Sequence, residues 1–142
     1  MNIKPKLLFI TDWYAPAFKG GGPIRSVVNL IEKIKKDYDC YVYTSNTDFG
    51  EVEPLAGIVA DQWINQNGVQ VYYRSGKMSF AQVKTMIKTI HPHRIYLNSM
   101  FSNMIKPILV GYASDKIIIA PRGMLNTSAL AVKPIRKFLY LW

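Results

Sequence analysis

The chain alternates short apolar runs with segments whose apolar residues recur every three or four positions. Residues 6–11 (KLLFIT) are a nearly unbroken apolar run between Pro5 and Asp12, the pattern of a strand buried on both faces. Residues 12–22 read as a loop containing Pro16 and the triplet Gly20-Gly21-Gly22. Pro23 suits the first turn of a helix. Behind it Ile24, Val27, Val28, Ile31 and Ile34 recur at helical spacing, while Arg25, Asn29, Glu32, Lys33, Lys35 and Lys36 fall mostly on the other face. Further strands are predicted at 40–44, at 69–74 after Asn67-Gly68, at 94–97, and at 116–120 before Pro121. The stretch after residue 44 reads as loop, rich in Asp, Glu, Gly and Pro. Helices are predicted at 80–90 with Ser79 as cap, at 104–112 with Pro107 in the first turn or at a kink, and at 129–142 with Pro134 near the start or at a kink.

Strands and helices alternating through short connections predict an α/β fold: a Rossmann-like, doubly wound, mainly parallel sheet with helices on both faces. Residues 1–142 fit one domain. A chain of this length buries enough apolar surface to need no disulfide or structural metal. In open parallel sheets ligands bind beyond the carboxyl ends of the strands, which selects the loops at 12–23, 98–103 and 121–128.

Charge changes the picture in one respect. The net charge is +9, yet residues 37–62 hold six acidic side chains and no Lys or Arg. The base lies toward both ends of the chain. Such a balance suits nucleic acid, anionic lipid or phosphorylated ligands. The lysines are scattered and form no arginine-rich run or nucleic-acid motif, so no nucleic-acid partner is expected. Cys40 is the single cysteine; it forms no intrachain disulfide and reads as a small buried hydrophobe in a reducing compartment. The apolar run at 7–10 is too short for a signal-peptide core, and no stretch approaches the length of a membrane span. The expected location is cytoplasmic.

The first loop carries the clearest chemical signal. Glycine lets backbone approach a ligand closely, and a helix start offers N–H groups to an anion. The run G-G-G-P-I-R is neither the dinucleotide fingerprint G-x-G-x-x-G nor a phosphate loop ending in G-K-[ST]. By itself it reads equally as a ligand loop or as a turn. Arg25 and Ser26 open the helix, where Arg25 could reach a phosphate or lie in solvent. His91 and His93 flank Pro92 without Cys or acidic neighbours, a polar turn rather than a metal site. Asp12 and Asp48 could meet ligand hydroxyls or cap turns. Trp13, Tyr14 and Phe18 could stack on a sugar ring or lipid tail, or anchor the loop.

The segment TDWYAPAFKGGGPIRSVVNLIEKI resembles the opening of family 4 of the retaining GT-B glycosyltransferases. APRGMLNTSALAVKPIRKFLY resembles a second block of that family, and IYLNSMFS lies between them where many members carry a strand and a His-containing turn. The three blocks keep the family's order across the whole chain. The resemblance implies the N-terminal, acceptor-side domain of a bacterial two-domain enzyme, one half of a GT-B fold. The C-terminal domain that binds the nucleotide-sugar donor would lie outside residues 1–142. It further implies that Gly21 and Gly22 face the donor diphosphate. Arg122 matches the family's Arg before Gly, to bind phosphate or carboxylate or to brace neighbouring carbonyls. Asn98 stands where many members place a His; it can hydrogen-bond a sugar hydroxyl but carries no proton. Asn98, Arg122 and Arg25 are thus the candidate acceptor- or phosphate-binding residues. No catalytic residue is assigned, and neither a cofactor nor a metal is implied, the nucleotide sugar being substrate.

The expected function is sugar transfer to a glycan or lipid-linked acceptor in surface-polysaccharide synthesis, with the isolated domain inactive. A lipid-linked acceptor would bring the protein to the periphery of the inner membrane. The alternative is a non-catalytic anion- or carbohydrate-binding α/β module. The apolar residues of 129–142, Ile135, Phe138, Leu139, Leu141 and Trp142 among them, suggest that the isolated domain pairs as a homodimer.

Overall fold

The computed structural model of the chain describes residues 3–78, 80–99, 108 and 115–122. The elements are β1 (Lys6–Ile10), α1 (Gly22–Ile34), β2 (Asp39–Ser45), β3 (Trp63–Gln66), β4 (Val69–Arg74), α2 (Phe80–Ile90), β5 (Arg94–Leu97) and β6 (Ile117–Ile119). They make an α/β fold on one six-stranded sheet in the order β3-β4-β2-β1-β5-β6. Every pairing is parallel except that of β3 with β4. This mostly parallel, mixed sheet is compatible with a Rossmann-like fold.

β1 lies between β2 and β5, and its residues face alternate sides. Leu8 and Ile10 pack with Tyr43, Ile95 and Leu97 under Val83, Met86, Ile87 and Ile90 of α2. Phe9 packs on the other side with Cys40, Val42, Val71 and Tyr73 under Val27 and Ile31 of α1. The unbroken apolar run of β1 follows from that double burial. Parallel crossovers are right-handed. A crossover leaving β1 toward β2 therefore lays its helix on one face, and one returning past β1 to β5 lays its helix on the other.

The predicted strands at 69–74 and 94–97 and the helix at 80–90 lie where the periodicity places them, and the other described strands shift at their ends by one or two residues. The expected loop after residue 44 differs: it contains β3. Asn67 and Gly68 take φ of 52° and 84°, the backbone of a type I′ hairpin turn, and Gly68 N–H donates to Asn65 Oδ1 at 3.0 Å. Trp63-Ile64-Asn65-Gln66 has no apolar alternation, so only the Asn-Gly pair could have signalled the hairpin. Cys40 is buried, and that burial, with Asp39 adding to it, pushes its thiol up to about 11. His91 turns the chain at φ 52°. The Ser79 cap, the helices expected at 104–112 and 129–142, and the pairing surface on the latter lie outside the described residues, apart from Ile108, which is helical and buried. Among the described residues no helix is long and apolar enough to cross a membrane.

Replacing Gly68 by Ala forces a Cβ into a left-handed conformation and should cost roughly 1–3 kcal/mol. A lowered urea midpoint with unchanged slope would show it.

Candidate functional site

The strand order reverses at β1. α1 carries the chain from β1 to β2, and α2 carries it from β4 past β1 to β5. A crevice lies at this reversal, beyond the carboxyl ends of β1 and β5, the usual ligand position in such sheets. The crevice here is lined by Thr11, Asp12, Trp13, Pro23, Ile24, Asn98, Ser99 and Arg122. Apart from Thr11 and Ile24, which flank the first loop, these residues come from the described parts of all three loops that the sequence selects. The cavity is only about 80 Å³. A larger groove, about 390 Å³, lies along the α1 face and is lined mainly by apolar side chains. Topology and the convergence of Thr11, Asp12, Asn98, Ser99 and Arg122 favour the small crevice as the chemical site.

Arg122 organises its floor. It follows β6 with φ 52°, a left-handed conformation that non-glycine residues seldom adopt. Its Nε donates to Asn98 Oδ1 at 3.0 Å and its Nη2 to the Tyr96 hydroxyl at 3.0 Å, and its Nη1 donates to Ser26 Oγ. Asn98 passes the order on: its Nδ2 donates to Thr11 Oγ1 at 3.1 Å, and Thr11 donates to the Trp13 carbonyl at 3.2 Å. Asn98 and Thr11 are 5% and 2% exposed, so each lost bond would strand a buried polar group. An amide suits position 98 because one end must accept and the other must donate. The network ties the ends of β1, β5 and β6 to the first turn of α1. Among the described residues its hydrogen-bond partners are neutral, while Asp12 lines the same crevice.

Above this floor stands the glycine loop. Gly21 caps α1 at φ 66°, ψ −125°, a region that only glycine enters freely. Its conformation explains its identity. Gly22 has no positive φ, and a Cβ built there meets nothing within 4 Å. Among the described residues nothing requires glycine at 22. The first-turn amides of Gly22 and Ile24 have no intrahelical acceptor, and Pro23 between them has no N–H.

Asp48 clamps the loop from the other side. Its carboxylate accepts from Phe18 N–H at 3.0 Å, Lys19 N–H at 3.1 Å and Phe49 N–H at 2.7 Å. Burial by itself would raise this carboxyl, but the three backbone donors outweigh it and hold the group below its ordinary value. Asp48 thus serves as a turn clamp. Of the loop aromatics, Tyr14 is buried in the core and Trp13 packs edge-on against Phe49 at 4.9 Å, while Phe18 is 71% exposed.

The structure brings Asn98 and Arg122 together and sets the α1 start beside them. It does not bring Arg25 there. Arg25 is exposed and lines a separate groove with Ala15, Pro16, Ala17 and Phe18, because one helical step past Ile24 turns it off the crevice side. Tyr96, Thr11 and Asp48 carry the site and were not singled out as its frame. Their partners are 26, 87 and about 30 residues away, so spacing could not have found them. Among the described residues no group of three or more His, Cys, Asp or Glu could hold a metal ion. No protein-family model, curated protein or solved structure matches the chain.

Asn98→Leu leaves Arg122 and Thr11 short of partners and should lower stability by roughly 1–3 kcal/mol in denaturant titrations. The Asp48 clamp should depend on pH. Its folded value lies below the unfolded one of about 3.9, so the stabilisation is complete above that value and is lost as pH falls through the folded one. Amide exchange at Phe18, Lys19 and Phe49 should accelerate there, and Asp48→Ala should show the fast exchange already at neutral pH.

Proposed function

We infer that this chain is the acceptor-side domain of a retaining GT-B glycosyltransferase, and that its sheet is the doubly wound half of that fold. On this reading Gly21 and Gly22 bring backbone N–H groups to a donor diphosphate. The observation that carries it is Gly22: among the described residues neither its φ nor its packing needs glycine, and such a position suits close approach by a ligand. The reversal of strand order beneath it, and a guanidinium whose described partners are neutral, support an anion there. The size of the crevice supports a shared site. About 80 Å³ falls well short of the roughly 300 Å³ at which ligand pockets begin, so a nucleotide sugar would need a second wall, as in a two-domain enzyme. The acceptor is a glycan or a lipid-linked glycan precursor, and the setting is surface-polysaccharide synthesis at the cytoplasmic side of the membrane. The 142-residue chain binds the anion weakly and transfers no sugar alone, because placing both substrates accounts for much of such catalysis.

Pyrophosphate is the probe that tests this. Titrated into the labelled chain, it should shift the amide resonances of Gly21, Gly22 and Ile24. Gly22→Val should fold with unchanged thermal stability and lose those shifts. Undiminished binding by Gly22→Val would reduce the loop to a turn, and sugar transfer by the isolated chain would remove the need for a second domain.

A further inference from the structure

The glycine loop has a second side. Its outer arm, residues 15–18, and the first two turns of α1 enclose a groove of about 330 Å³. That is several times the crevice and past the roughly 300 Å³ at which ligand pockets begin. Its floor is apolar: Ala17 and Ile24 are buried, and Val28 is half-buried. Ile24 also lines the crevice, so the two cavities share one side chain as a common wall.

Phe18, Arg25 and Asn29 line the same groove and are exposed. Phe18 is 71% exposed although the loop around it is fixed. Asp48 accepts from the N–H groups of Phe18 and Lys19, and the Phe18 carbonyl accepts from Gly21 N–H at 3.0 Å. Ala17 N–H donates to the Tyr14 carbonyl at 3.0 Å. A ring held in the open by an ordered backbone meets a ligand at little ordering cost. Arg25 and Asn29 are one helical turn apart and so share a face of α1. Among the described residues neither side chain has a hydrogen-bond or ion-pair partner, and no carboxylate lines the groove.

We propose that this groove binds one ring of an anionic sugar, a pyranose bearing a carboxylate or a phosphate, as the outer part of the acceptor site. The apolar face of the ring lies against Phe18, the anion meets the Arg25 guanidinium, and a hydroxyl meets the Asn29 amide. A guanidinium fork matches both anions, and an amide donates and accepts as a hydroxyl does. The common wall at Ile24 sets this ring next to one held in the crevice. An acidic peptide also carries carboxylates, but its main chain finds nothing to bond here. The N–H groups of Phe18 and Lys19 are taken by Asp48, and no strand edge lines the groove for a peptide to extend. The inference rests on the sugar-transfer reading for the path of the glycan from groove to crevice, whereas binding in the groove is measured separately.

Glucuronate, glucose 6-phosphate and glucose, each titrated into the labelled 142-residue chain, test this through the resonances of Phe18, Arg25 and Asn29. A single ring in an open groove should bind with a Kd on the order of a millimolar. An anionic sugar should bind on the order of tenfold tighter than glucose, and the tighter of the two anionic sugars identifies the anion. Arg25→Gln should bring both down to the level of glucose, with the fold intact by circular dichroism. Phe18→Ala should weaken all three. Arg25→Gln should leave the pyrophosphate shifts at Gly21 and Gly22 unchanged. Sugar binding without any pyrophosphate shift would remove the donor reading and leave the groove standing. Equal binding of glucuronate, glucose 6-phosphate and glucose, undiminished binding by Arg25→Gln, equal shifts with acetate, or tighter binding of a short aspartate peptide would each overturn the proposal.

Discussion

β1 must be covered on both faces, and most of the described architecture follows from that requirement. Four consecutive residues, Leu7 to Ile10, with alternate side chains in two cores cannot be served by one helix. α1 covers Phe9, and α2 covers Leu8 and Ile10. Right-handed crossovers then dictate that the two helices belong to connections running in opposite directions across the sheet. The reversal of strand order at β1 is the geometric result. The crevice lies at that reversal, beyond the carboxyl ends of β1 and β5. The candidate site is in this sense a consequence of burial, and the side chains around it only refine a cleft that the topology already provides.

The refinement is nevertheless specific. The crevice floor is a chain of hydrogen bonds in which each side chain satisfies the next, from Arg122 through Asn98 to Thr11 and the Trp13 carbonyl. Such a network is rigid, since breaking any link strands a buried polar group. It answers one of the two roles open to Arg122 from sequence: three of its N–H groups are committed to the protein, so it braces the site. The guanidinium has five N–H donors, and its hydrogen-bond partners among the described residues are neutral. Bracing and attraction of an anion are therefore compatible in one side chain. The Asp48 clamp and the Gly21 cap fix the loop above this floor, and Gly22 is the position they leave without a structural reason.

The two ends of the sheet are electrostatically unlike. The carboxyl end holds the acids that follow β2, several of them used as acceptors for loop backbone. The amino end holds lysines from strand starts and helix ends. Among the described residues the charges thus divide into a clamped, mixed-sign end and a cationic end beside an apolar groove, a division that the linear order of residues conceals.

The apolar run of β1, the helical spacing of α1 and α2, and the turn residues between them were all readable, because strand and helix periods are local properties of the chain. They predicted the α/β class, the mainly parallel sheet and the three loops that converge. β3 escaped because its four residues carry no alternation, and its existence depends on pairing with β4 across the Asn67-Gly68 turn. Sequence also placed Asn98 and Arg122 in candidate loops and left Arg25 as a weaker candidate, reading more readily as solvent-exposed. That distinction is angular: one residue's rotation around α1 carries Arg25 to a different groove. Sequence by itself determined which segments form elements and which loops lie at the sheet's carboxyl end. Only the tertiary structure decided strand order, the partners of Arg122 and Asp48, and the gathering of lysines at the far edge, because each depends on contacts between residues that the chain separates by tens of positions.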